Sequence, residues 1–405
     1  MAIKPITTFA REYRYQFDCK RLTWTSQNQK SFLILLPKQH ENQIQEAKGA
    51  LSMDTIQRYF NRLVAEKADT RMGIPVPAFD RATAEKLLHR IKAINLHAHT
   101  YSFNMNFKYS GYELQDLMNF AYENGLNGVG IHIDYGKGKG LRNKSIMELE
   151  DIERQARRLG LELVLEISNT APREINQAVQ LATRLGIRRI RLYIVHGGRL
   201  SAIMERGILD LKKVAQVAEA NDLTFVLESH EALKARELVK IIETVASPRI
   251  KLLFDFGNMI NANEYPLEAL AAMAPHIRHA HIKGVCRVKD KTGFGHQGVL
   301  QGEDDLPQVK LMFDLLMLGS THPQVKVFAL EQVVGYRSKG IRHDSEGPDP
   351  LLPRREPSQT EPDENLSLEE NLRLERRYAC EQVVYVKNML ERLKTLALMR
   401  LETVE

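Results

Sequence analysis

Three cysteines in 405 residues, Cys19, Cys286 and Cys380, are too few, too far apart and odd in number for a disulfide framework or a zinc knuckle. They predict a reducing compartment. No stretch approaches the roughly 18 uninterrupted apolar residues that span a bilayer, and the opening MAIKPITTFAREYRYQF lacks the apolar centre of a signal peptide. A cytoplasmic chain with no membrane partner is expected. Charge of one sign is also scarce in excess: 57 Lys and Arg stand against 51 Asp and Glu, interspersed, for a net +6. That balance permits acidic ligands and disfavours nucleic acid. A composition of 43% hydrophobic and 27% charged residues excludes a disordered or fibrous chain.

What is present is a rhythm. Residues 1–90 form an N-terminal extension of weak signals, with a strand suggested around Phe32 to Leu36 and helical composition from Glu41 to Lys67. Over 91–336, eight short β-branched or aliphatic runs alternate with amphipathic stretches. The runs are 91–97, 128–133, 161–167, 188–195, 223–229, 250–256, 277–283 and 325–331. Intervening helices stop at Gly125, Gly160, Gly186 and Gly319, residues suited to a left-handed cap. Eight strand and helix units in this length predict an α/β fold, the (β/α)8 TIM barrel. An open doubly wound sheet would carry a glycine fingerprint after its first strand, and none follows. Residues 337–367 are proline-rich and without apolar periodicity, an irregular lid or linker. Ser367 and Glu370 form a capping box that opens a C-terminal helix within 368–405, expected to run to about Met399 and pack on the barrel.

In such a barrel the working groups stand at the C-terminal ends of the strands. Glu228, Asp255, His281 and Glu331 each stand at or near the end of an apolar run, on strands five to eight. Any one alone is explained by a salt bridge. Three carboxylates and an imidazole converging on one mouth are what a divalent cation takes, with Mn²⁺ or Mg²⁺ favoured by the oxygens and Co²⁺ or Zn²⁺ admitted by the imidazole.

The segments LESH, FDFGNMINANEYPLEAL, HIRHAHIKG and ALEQ, with GYELQDLMNFAYENGLNGVGI near the second strand, resemble the sugar phosphate isomerase/epimerase family of xylose isomerase-like TIM barrels. The resemblance covers about Ile91 to Tyr336. It implies one divalent ion held by Glu228, Asp255, His281 and Glu331, with Glu228 and Glu331 as acid and base. The implied substrate is a small polyhydroxy carbonyl compound, whose proton next to the carbonyl moves through an enediolate. Asn258 stands where epimerases commonly show histidine, Lys234 where they place an acid, and Gly284 where aspartate often follows the HIK segment.

Further candidates each have a plainer explanation. His230 is a substrate contact or a helix-capping histidine. Lys283 neutralises a substrate oxygen or a nearby acid. His97, His99 and His132 line the substrate side of the mouth or are packed core histidines, and His279 is read as packed. DYGKGKGLRN (134–143) is a phosphate cradle or an exposed loop. By resemblance to the family's glycine and acid-rich loop, Gln301 and Glu303 are expected near the mouth. Rival functions are a lyase similar to 3-dehydroshikimate dehydratase, a hydrolase similar to endonuclease IV, and a non-catalytic barrel scaffold. A homo-oligomer is allowed by everything above.

Overall fold

A computed structural model describes residues 52–290, 293–355, 360 and 362–403. The strand suggested around Phe32 lies outside them. Eight parallel strands close into a barrel: β1 (Asn95–His99), β2 (Gly128–His132), β3 (Glu162–Glu166), β4 (Arg189–Leu192), β5 (Thr224–Glu228), β6 (Ile250–Asp255), β7 (Ile277–Ile282) and β8 (Val327–Leu330). Their order around the ring is β1-β8-β7-β6-β5-β4-β3-β2.

Each strand lies within or beside an expected run, because strands covered on both faces read as near-continuous apolar stretches. The first is displaced. It begins at Asn95 rather than Ile91, since helix α2 (Arg81–Lys92), capped by Asp80, continues through Lys92. Local signals set the other ends similarly: Ser145 and Glu148 box the start of the helix Ile146–Leu159, and Gly160 closes it at φ +66°.

Helix α1 (Met53–Val64) and α2 pack on the long final helix Leu368–Glu402, which Ser367 and Glu370 cap. Phe60 stacks on Phe79 with ring centroids 4.1 Å apart, and Arg400 Nε donates to the Phe79 carbonyl at 3.0 Å. Residues 53–92 thus share the barrel's apolar core. Cys286 is a free thiol, whereas buried Cys380 carries a single disulfide, which is not the disulfide framework that the cysteine spacing argues against. No helix among the described residues is long and apolar enough to cross a membrane.

After β7 comes a hairpin that the sequence did not announce, Val285–Lys289 with Phe294–Gly298, joined by Arg337–Ser338 as a third strand. From there the chain crosses the C-terminal face of the barrel as a strap. Leu351–Leu352 pairs with Gly198–Arg199, beyond β4. Arg342 donates to Glu237 at 2.9 Å and to Glu346 at 2.7 Å, while Lys234 holds Glu346 at 2.8 Å. Glu231, in a left-handed backbone conformation (φ +62°), receives Arg355 Nε at 2.8 Å and the Tyr336 hydroxyl. The expected irregular segment is therefore irregular but tied at both ends.

Candidate metal centre

Alternation along a strand turns every second residue toward the barrel axis. On β5 to β8 this brings Glu228, Asp255 and His281 to the mouth, joined by Glu331 one residue past β8. All four are buried, and one ligand-type atom from each lies within 4.8 Å of the others. His281 Nδ1 is 3.4 Å from Glu228 Oε1 and 3.4 Å from Glu331 Oε2.

Lys283 Nζ lies 2.9 Å from Asp255 Oδ2 and 2.9 Å from Glu331 Oε2, and it donates to Asn258 Oδ1 at 3.3 Å. Asn258 Nδ2 in turn donates to Glu228 Oε1 at 3.3 Å. Arg191, on β4, forms an ion pair with Glu228 Oε2.

The charge states follow from these neighbours. Burial acts to raise the Glu331 carboxyl, but Lys283 and His281 outweigh it and hold the group well below its ordinary range. Glu228 is likewise resisted by burial and brought down by Arg191 to about 2. For Asp255 burial wins over Lys283 and pushes the carboxyl up to about 6. His281 is raised well above its ordinary value because Glu166 and Glu331 overcome the burial that would lower it.

The donor set suits a divalent cation. Glu228 Oε2, Asp255 Oδ2, Glu331 Oε2 and His281 Nδ1 are buried and make no hydrogen bond of good geometry within the chain. The Lys283 ammonium bridging Asp255 and Glu331 marks a place where positive charge is stabilised. Three carboxylates and an imidazole with ligand-type atoms within 4.8 Å of one another fit a divalent cation.

A small cavity opens directly on this cage, lined among others by Tyr101, Ser168, Tyr193, His230 and Tyr336. His230 stacks on Tyr193 at 4.0 Å and is kept neutral by burial. His230, Asn258 and Lys283 thus reach the cavity. Four other expected residues, His97, His132, Gln301 and Glu303, do not. His97 is buried one layer below, 3.5 Å from Glu162, because the first strand is displaced toward His99. His132 binds Ser168 Oγ at 2.7 Å and lines a separate cleft with Tyr101, Lys137 and Arg173. Glu303 is exposed, with its carbonyl facing the Cys286 thiol, and Gln301 is buried behind the cage against Gln308 and Gln382. In the loop 134–143, Lys139 is bound to the carbonyls of Ser110 and Tyr112 and pairs with Glu113, so only part of the expected cradle faces a cleft.

Sequence reasoning missed Glu166, Arg191 and Arg355. Glu166 ends β3 as Glu228 ends β5, so the rule of strand ends would have found it had it been applied beyond strands five to eight. Arg191 lies inside an apolar run, and the Arg355 to Glu231 pair joins residues far apart in sequence, which leaves no local signal.

The family description "Xylose isomerase-like TIM barrel" matches residues 88–319, more than half of the chain. YihM of Escherichia coli (strain K12), itself uncharacterized, is 37% identical over 311 residues, covering 77% of this chain and 95% of that protein. A 3-oxo-isoapionate decarboxylase of Pectobacterium atrosepticum is 27% identical over 157 residues, 38% of this chain and 57% of that protein. The solved structure of an L-ribulose 3-epimerase shares the fold at 16% identity, with a TM-score of 0.51 over 75% of this chain and 96% of that one. With a closed eight-stranded barrel bearing this mouth, the chain belongs to the xylose isomerase-like TIM barrel family.

Proposed function

We propose that the protein is a divalent-metal-dependent isomerase or epimerase that moves a proton next to the carbonyl of a sugar-like polyhydroxy substrate, through an enediolate. The convergence of Glu228, Asp255, His281 and Glu331 carries this reading. A cation held by these four would supply polarisation of the carbonyl and stabilisation of the negative charge beside it. Glu228 and Glu331 stand on β5 and just past β8, and with substrate between them one removes the proton and the other returns it. Lys283 lines the cavity and donates to the developing oxyanion. His230, Asn258 and Tyr336 line the same cavity and orient substrate hydroxyls.

A lyase is the second reading, favoured by one observation. Arg191 ties up Glu228 and depresses it to about 2, which weakens it as a base, and a lyase needs the enolate but only one base. The relative named as a decarboxylase acts in the same sense. Incubation of the purified protein, with Mn²⁺, with ketoses, inososes, dehydroshikimate and 3-oxo sugar acids separates the two. Exchange of substrate protons with solvent and an isomeric product support the first reading, loss of water or carbon dioxide supports the second, and absence of any Mn²⁺ binding overturns both.

A further inference from the structure

Beside the four-residue cage, Glu166 from β3 approaches the imidazoles of His99 on β1 and His281 on β7, whose ring centroids are 5.2 Å apart. One oxygen serves both rings. Glu166 Oε1 is 2.9 Å from His99 Nε2 and 3.2 Å from His281 Nε2. Arg191 Nε stands 3.8 Å from the other oxygen, so the carboxylate is approached from both ends. All four side chains are buried.

The tautomers follow from one hydrogen bond, to His99, and from the close approach of Glu166 Oε1 to a nitrogen of each ring. His99 Nδ1 accepts the backbone N–H of Tyr101 at 3.1 Å, so the ring proton of His99 sits on Nε2 and faces Glu166. An ionised carboxylate only accepts, so the His281 nitrogen that faces the same oxygen carries a proton as well. That leaves His281 Nδ1, the nitrogen directed at Glu228 and Glu331, as the one that can offer a lone pair. Space for the arrangement comes from β2: a Cβ at Gly130 would come within 2.6 Å of His99 Cδ2 and 3.4 Å of Glu166 Oε1.

His99, Glu166 and His281 also lie close enough to hold an ion of their own. The hydrogen bonds argue against it. Ligation needs an imidazole nitrogen without a proton, and His99 spends that nitrogen on Tyr101.

We infer that Glu166, steadied by His99, is a positioning residue: it fixes His281 as the Nε2–H tautomer and aims Nδ1 at a cation held by Glu228, Asp255 and Glu331. The inference rests on the metal reading proposed above. Carboxylate partners of this kind orient metal-bound imidazoles, and their removal weakens metal binding about 10- to 100-fold.

The test is calorimetric titration of the full-length, metal-stripped protein with Mn²⁺, together with the ligand-field spectrum of the Co²⁺ form and the melting temperature without metal. Glu166→Ala is expected to weaken Mn²⁺ binding about 10- to 100-fold and to alter the Co²⁺ bands, and to lower the melting temperature of the metal-free protein because Arg191 loses a buried partner. Glu166→Gln keeps an acceptor oxygen for the imidazoles and should recover much of the affinity. If the alanine variant does not fold, Glu166→Asp serves, because it keeps the charge but withdraws the oxygen; the same loss is expected. Mn²⁺ affinity within twofold of wild type, or an unchanged Co²⁺ spectrum, in the Ala or Asp variant overturns the role of Glu166 while leaving the metal reading intact. Failure of the wild-type protein to bind any divalent ion overturns both.

Discussion

Two layers of the barrel interior carry the same residue types two positions apart on the same strands. His97, Arg189 and His279 occupy the lower layer, and His99, Arg191 and His281 the upper. Their surroundings differ. Below, the nearest carboxylate is Glu162, which is half exposed, and burial drives both His97 and His279 toward the neutral form. Above, Glu166, Glu228, Asp255 and Glu331 crowd the same interior, and Glu166 and Glu331 raise the His281 imidazole against full burial. An imidazole inside a barrel is thus packing or a candidate ligand according to the acids that share its layer.

Exchanging one layer against the other tests that contrast. The largest effect is expected from His281→Asn, which should abolish measurable Mn²⁺ binding in calorimetry. His279→Asn, one layer down, should bind Mn²⁺ within a few-fold of wild type. Equal losses in the two variants would dissolve the distinction between the layers.

The glycines of β2 sharpen the comparison next. At Gly128 a Cβ would meet the Glu162 carbonyl at 2.3 Å and His97 Cε1 at 2.6 Å, so backbone itself must move. Gly128→Ala should cost stability, about 1–3 kcal/mol in chemical denaturation. At Gly130 the nearest atom belongs to the His99 ring, and Gly130→Ala should instead weaken Mn²⁺ binding by displacing His99 and Glu166. If both variants change stability alone, the upper layer is merely packed like the lower.

The smallest effect concerns a carboxylate outside both layers. Glu264 accepts the Ala235 backbone N–H at 2.7 Å, and burial raises its carboxyl to about 7. It shows what burial does where no cation dominates, in contrast to Glu166, which His99, His281 and Arg191 hold well below its ordinary value against burial. With the folded value above the unfolded one, the stability contributed by Glu264 is full below about pH 4.5 and is lost as the pH rises through about 7. The melting temperature of Glu264→Gln should therefore gain on that of wild type between pH 5 and 8. A constant difference would show that burial does not control this group.

Much of the barrel is legible in the sequence because its strands are buried on both faces and its helices end at glycine or begin at capping boxes, signals that act over a few residues. The four cage residues are legible for the same reason: each breaks an apolar run at its end. His97 was expected at the mouth because the apolar run starting at Ile91 conceals the last turn of α2. Glu303 was expected there by resemblance, yet the hairpin Val285–Lys289 and Phe294–Gly298 carries the following loop outward. Arg191 looks like an interruption of a strand until the carboxylates of its neighbours are placed around it. Such pairings depend on closure of the ring, which no local pattern encodes.

The strap has a consequence for traffic. Tied to Glu237 on one side and to Glu231 and Gly198–Arg199 on the other, it roofs the end of the barrel where a visitor would otherwise descend along the axis. Tyr101 and Ser168 belong at once to the walls of the inner cavity and of the outer cleft beside His132. The inner cavity and the outer cleft thus share a wall built from the segments that follow β1 and β3, so the approach that the strap leaves is from the flank.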